Sequence, residues 1–87
     1  MQKSYFVYLI IAKRYNKLIS YVGYTSDVSK RIKLHNSGKG AKFTKGSNWK
    51  LIYKKKYKTK SIAMKHEHLL KKNQKLRKYI KESFYNE

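Results

Sequence analysis

Eighty-seven residues make one small domain, expected to span 1–87, and 23 lysines and arginines against four acids give a formal net charge of +19. The absence of cysteine excludes a disulfide scaffold and Cys-ligated zinc, and a 40% hydrophobic share with nine tyrosines excludes wholesale disorder. Such a field repels itself unless a polyanion screens it, so nucleic acid is the expected partner. Ribosome association would give the same balance. A membrane surface is disfavoured, because no segment joins a clean apolar helical face to this charge.

In chain order, residues 4–12 are β-branched and aromatic and predict a strand. This start has some features of a signal peptide, but it lacks a small-residue cleavage site, runs into Lys13-Arg14 and is too short to span a bilayer. The expectation is a buried strand in a cytoplasmic protein. Residues 13–17 are polar and turn-like, and residues 18–24 predict a second strand. Ser26 or Asp27 can cap a helix running to about Asn36, with Val28 and Ile32 at helical spacing. Asn36 to Ser47 holds three of the four glycines and reads as a loop. Trp49 to Tyr57 predicts a third strand, with Leu51 and Tyr53 on one face and Ile52 on the other. Ser61 can cap a helix to about Lys72, and a last helix near Gln74 to Phe84 puts Leu76, Tyr79, Ile80 and Phe84 on one side. The order ββαβαα is an α+β pattern, a short sheet covered by helices.

The hairpin carries a geometric expectation. If Lys13 to Asn16 form a four-residue loop, paired residue numbers sum to 29 and Tyr8 stands directly across from Tyr21. Opposed residues share a sheet face, so two phenols come together beside the start of the first helix. On that helix Arg31 and His35 lie four residues apart, on one face.

Phosphodiester hydrolysis requires an oriented water, a base, and positive charge on the developing pentavalent phosphate. Arg31 is one of three arginines among twenty lysines, and its guanidinium grips phosphate with a geometry that lysine does not copy. Glu67 is the sole acid between Asp27 and Glu82, with Ala63 and Leu70 flanking it at i−4 and i+3 and Lys71 at i+4. It could pair with Lys71 or hold a metal. Tyr8 and Tyr21 could orient or deprotonate water, or simply pack. His35 could accept a proton or donate to phosphate. The loop Ser37-Gly38-Lys39-Gly40-Ala41-Lys42-Phe43-Thr44 lacks Walker spacing and reads as a flexible basic loop on backbone phosphates. His66 and His68 do not make a zinc pattern and read as surface or DNA-facing.

Together these residues resemble the GIY-YIG nuclease superfamily over roughly residues 4 to 80. Phe6-Val7-Tyr8 stands at the first tripeptide, with Phe6 for its glycine, and Tyr21-Val22-Gly23 at the second. Arg31 lies eight residues after that glycine, and Glu67 matches the family's glutamate. The run His35-Asn36-Ser37-Gly38-Lys39-Gly40-Ala41-Lys42-Phe43-Thr44 is similar to the small stand-alone bacterial YhbQ-like group. The resemblance implies a three-stranded antiparallel sheet flanked by helices, and cleavage of one DNA strand with a single Mg²⁺ or Mn²⁺. By carry-over Glu67 holds the metal, Arg31 steadies the phosphate, Tyr8 and Tyr21 position and activate the water, and His35 assists. Asn73 is the nearest match to a late asparagine of some members.

The leading expectation is a metal-dependent DNA endonuclease or nickase of weak sequence preference, of the kind used in repair or recombination. Its substrate is single-stranded, duplex or branched DNA, held by Arg31, Lys39, Lys42, Lys45, Lys71 and Lys72. The rival is a non-catalytic DNA- or RNA-binding module that keeps the fold, and a third reading is a ribosome-associated structural protein.

Overall fold

In the computed structural model, which describes residues 3–85, strand β1 (Tyr5–Arg14) turns directly into β2 (Lys17–Thr25). Tyr15 and Asn16 both take positive φ, 53° and 63°. That is the backbone of the tightest hairpin turns, whose twist matches the flanking strands. The loop is therefore two residues long rather than four, and paired numbers sum to 31. Tyr8 pairs with Gly23, and Tyr21 with Ile10. The polar residues Lys13, Arg14 and Lys17 belong to the strands, because alternate side chains at the rim of a sheet can point into water. The shift from the expected register is two residues, an even number, so the facing of each side chain survives. Tyr8 and Tyr21 are diagonal neighbours on one sheet face instead of direct partners.

The first helix, α1 (Val28–Asn36), is capped by Asp27, whose Oδ1 accepts from the Lys30 backbone N–H at 3.1 Å. Strand β3 (Lys50–Tyr57) then pairs with β1 on its other side, giving an antiparallel sheet of order β2-β1-β3. Trp49, expected inside this strand, sits just before it and is buried. The pairing jumps from Leu9↔Tyr53 to Ile10↔Leu51, so Ile52 is an extra residue, a β-bulge. The bulge overturns the expected facing of this strand. Leu51 packs on the face of Tyr8 and Ile10, while Ile52 and Tyr53 both pack on the other face.

Helix α2 (Lys60–Lys72) is capped by Thr59, not Ser61: the Thr59 hydroxyl accepts from the Ile62 N–H at 3.1 Å. Asn73 ends α2 and its side chain accepts from the Leu76 N–H at 3.0 Å, opening α3 (Gln74–Tyr85). Its side-chain oxygen is occupied in this cap, which gives Asn73 a structural task. The result is the α+β order ββαβαα.

The sheet is covered on both faces. Val7, Leu9 and Val22 pack under Ala63 and Leu70 of α2 and Ile80 of α3. Tyr8, Ile10 and Ala12 pack under Trp49 and Ile32 of α1. β1 is the central strand, so its residues Val7 to Ala12 are all buried. Period-two patterning is absent there because neither face meets water.

The long loop between α1 and β3 is tied down by side chains. Trp49 N–H donates to Asn36 Oδ1, Asn36 Nδ2 donates to the Trp49 carbonyl at 3.2 Å, and the Trp49 indole N–H donates to the Thr44 carbonyl at 2.8 Å. Arg14 reaches across from the hairpin to Ser47 Oγ at 2.9 Å and the Phe43 carbonyl at 2.8 Å. Asn36→Ala removes both links at the loop's closing point. It is expected to cost ~1–2 kcal/mol, lowering Tm by roughly 5–15 °C in thermal melts followed by circular dichroism.

Candidate active site

Glycine at position 23 makes the site possible. Tyr8 crosses to it from the next strand, and a Cβ there would lie 2.6 Å from the phenol Cζ. The ring therefore lies flat over the Gly23 backbone, and its hydroxyl reaches His35 Nε2 at 2.7 Å. His35 comes from the last turn of α1, is fully buried, and its Nδ1 meets Thr44 Oγ1 at 2.8 Å. Gly40 closes over the same imidazole, leaving no room for a side chain. The loop that read as flexible is, around His35, a fitted lid.

Hydrogen-bond counting assigns the histidine tautomer. Thr44 Oγ1 has one proton, which it donates to the Ala41 carbonyl at 2.9 Å, and it accepts from the Ala41 N–H at 3.1 Å. Toward His35 it is left as an acceptor, so Nδ1 carries the hydrogen. Nε2 then presents a lone pair to the Tyr8 hydroxyl, which donates. A chain Tyr8–His35–Thr44 runs from the site into the backbone of the loop.

Electrostatics keep this chain neutral. Burial pushes the His35 pKa below its ordinary 6.5, and the Arg31 charge lowers it further. Burial raises the Tyr8 pKa. The nearby Arg31 guanidinium opposes that rise, while Tyr21 and Glu67 add to it. A histidine depressed in the folded state takes up protons more readily unfolded. Its contribution to stability is therefore complete above pH 6.5 and is lost as pH falls toward the folded pKa. Thermal melts are expected to show Tm falling on acidification below about pH 6.5. That slope is expected to be absent in His35→Gln, whose amide does not titrate.

Arg31 stands apart from the other two arginines. Arg14 and Arg77 are spent on backbone carbonyls, Arg77 on those of Leu70 and Lys71 at 3.2 and 3.0 Å. Among the described residues, Arg31 Nε is the buried side-chain polar atom with no hydrogen-bond partner. A buried donor left unpaired costs free energy, and a bound anion would satisfy it. Beside it opens a shallow recess of about 510 Å³, lined by Arg31, Lys30, Lys3 and the residues around the α1 N-terminus.

The other expected site residues divide. Tyr21 walls the imidazole, its ring edge-on to His35 at 5.1 Å and parallel to the half-exposed Phe43 at 6.2 Å. Glu67 projects from α2 between Ala63 and Leu70, near enough for its charge to act on Tyr8. It also pairs with Lys71 at 3.4 Å, the first of its two expected roles. Its donor set is a single hard carboxylate. That suits a hydrated Mg²⁺ or Mn²⁺, which takes its remaining ligands from water and phosphate. Lys39, Lys42 and Lys45 are exposed on the loop beside Tyr21 and Phe43. Lys72 is not brought in. It lies roughly 140° round α2 from Glu67, since five residues overshoot one turn. His66 stacks on Tyr57 at 4.4 Å, with the rings 15° from parallel, away from the site.

Thr44, Asn36 and Gly40 were not singled out from the sequence, although all three lie in or beside the His35 loop. Lys54 and Lys56 were also missed. The bulge at Ile52 turns them to the site face, where they pair with Tyr8 and Phe6. No pattern in the strand distinguishes them from Lys55.

The model of the GIY-YIG catalytic domain matches residues 4–80. The chain is 36% identical over 72 residues to a UPF0213 protein of Oceanobacillus iheyensis, covering 82% of this chain and 80% of that one. It is 46% identical over 65 residues to the UPF0213 protein YazA of Bacillus subtilis, covering 71% and 66%. With a UPF0213 protein of Staphylococcus epidermidis it shares 42% over 69 residues, covering 78% and 80%. No solved structure matches. The chain belongs to the GIY-YIG family, and within it to the UPF0213 group of small bacterial proteins. Among the described residues, no helix is long and apolar enough to cross a membrane.

Proposed function

We propose that this protein is a Mg²⁺- or Mn²⁺-dependent DNA endonuclease or nickase with weak sequence preference. The observation that carries the reading is the buried, unpartnered Nε of Arg31, set beside a phenol whose proton points at a neutral histidine. A guanidinium with a missing partner suits a phosphate, and a phenol hydrogen-bonded to an imidazole lone pair suits a proton relay. The family match to a catalytic domain supports the same chemistry.

In this mechanism the Tyr8 hydroxyl passes its proton to His35 Nε2 as it takes one from the attacking water. The raised Tyr8 pKa makes the phenol a poor acid alone, so the 2.7 Å bond to His35 is what lets it act. Water oxygen forms the new bond to phosphorus, and the leaving oxygen departs with the electron pair of the broken P–O bond. Arg31 donates to the phosphate oxygens as their charge grows. Tyr21 holds the imidazole and contributes a second phenol to orient the water. Glu67 would hold the divalent ion, which when bound supplies Lewis-acid charge to the phosphate. Lys54 and Lys56, with the loop lysines Lys39, Lys42 and Lys45, hold the DNA backbone on this face.

Nicking of supercoiled plasmid with Mn²⁺ tests the reading. Tyr8→Phe keeps the ring over Gly23 but removes the proton, and is expected to slow nicking ~10²–10⁴-fold with DNA affinity unchanged. Absence of cutting on single-stranded, duplex and branched DNA overturns it in favour of a binding module.

A further inference from the structure

The sheet face opposite the Tyr8–His35 site carries a groove between β3 and the α2–α3 corner, lined by apolar side chains together with Lys55, His66 and Asn73. Val7 lies at its base, Tyr57 and His66 stack along one wall, and Leu69 and Leu76 form the lip. The groove holds about 170 Å³. An apolar cavity of ~150 Å³ accepts a benzene-sized guest, so there is room here for one aromatic or leucine side chain. Leu69 is 50% exposed and Leu76 40%, and Tyr79, three residues beyond Leu76 on α3, is 66% exposed. α3 repeats apolar residues at helical spacing, yet none of its residues is buried. Exposed apolar side chains at the lip of a groove are a feature of interaction sites.

Charge selects the occupant. Lys55 lines the groove, and the exposed Lys65 and Lys72 flank Leu69 at i−4 and i+3 on α2. Among the described residues no carboxylate lines it; Glu67 lies on the other flank of α2 with Lys71. A second copy of the chain would bring +19 against +19. DNA matches the charge but leaves Leu69 and Leu76 against water. We propose that this groove docks an acidic protein segment carrying one aromatic or aliphatic anchor. The anchor enters between Tyr57 and Leu76, and the acids lie against Lys55, Lys65 and Lys72. The proposal does not depend on the nuclease reading, since it uses a different face and different residues.

The test is fluorescence anisotropy with a labelled short peptide of Asp and Glu ending in phenylalanine, against the same peptide ending in serine. The phenylalanine peptide is expected to bind about tenfold or more tighter, the effect of burying one large apolar side chain. Leu69→Ser with Leu76→Ser is expected to remove that difference and leave only weak, salt-sensitive binding. Both residues are half exposed, so the variant keeps its fold, and its DNA affinity and nicking are expected to stay at the parent level. In the parent protein, NMR signals of His66 and Tyr57 are expected to move on peptide addition. Equal binding of the two peptides, undiminished binding by the double variant, or shifts confined to the His35 face would overturn the proposal. Light scattering that shows a dimer broken by the same two substitutions would overturn it in favour of a second copy.

Discussion

Glu67→Ala is expected to abolish Mn²⁺-dependent nicking, by about 10³-fold or more, while DNA affinity stays within about threefold of the parent. In the proposed mechanism the carboxylate is the hard ligand, and removing it makes the chain more positive, so holding DNA is not expected to suffer. Stability supplies the control. Glu67 lies on the sheet-facing stripe of α2 between Ala63 and Leu70, with 19% of its side chain exposed. Its visible partner is Lys71, itself half exposed, and such a pair contributes ~0.5 kcal/mol at most. Alanine returns helix propensity and relieves a half-buried charge. Tm is therefore expected to hold or rise, which separates a functional carboxylate from a structural one. Persistent nicking in Glu67→Ala would remove the metal role.

Arg31→Lys tests the phosphate grip. The charge is kept and the forked donor set is lost, so nicking is expected to fall ~10²–10³-fold through kcat, with little change in KM. Folding has little to lose, because Nε of Arg31 has no partner in the folded protein. Arg31→Gln adds a second readout. Without the cation that helps hold the His35 pKa down, the His35 titration followed by NMR is expected to move up toward 6.5. In Arg31→Lys that titration is expected to stay near the parent value. A loss of Tm matching the loss of activity in both variants would assign Arg31 to packing instead.

Much of this was legible in the chain itself. The element order, the cap at Asp27, and the i,i+4 pairing of Arg31 with His35 on one helix are local properties, set by residues within one turn or one strand. Composition fixed the sign of the partner. The shared face of Tyr8 and Tyr21 was also readable, because side-chain facing depends only on the parity of the register, and the register error was even.

What the tertiary structure decided are the features that depend on contacts between distant segments. The two-residue turn at Tyr15–Asn16 put Gly23, rather than Tyr21, under the Tyr8 ring. The bulge at Ile52 chose Lys54 and Lys56 for the site face, and single-residue insertions leave no mark on an already apolar strand. His35 became a buried hydrogen-bond acceptor toward Tyr8 because Thr44 and Gly40 fold back over it, nine and five residues on. Charge and periodicity, which act locally, pointed to a polyanionic partner and gave the elements. Burial, which only the folded chain creates, keeps His35 neutral and leaves Arg31 Nε without a partner.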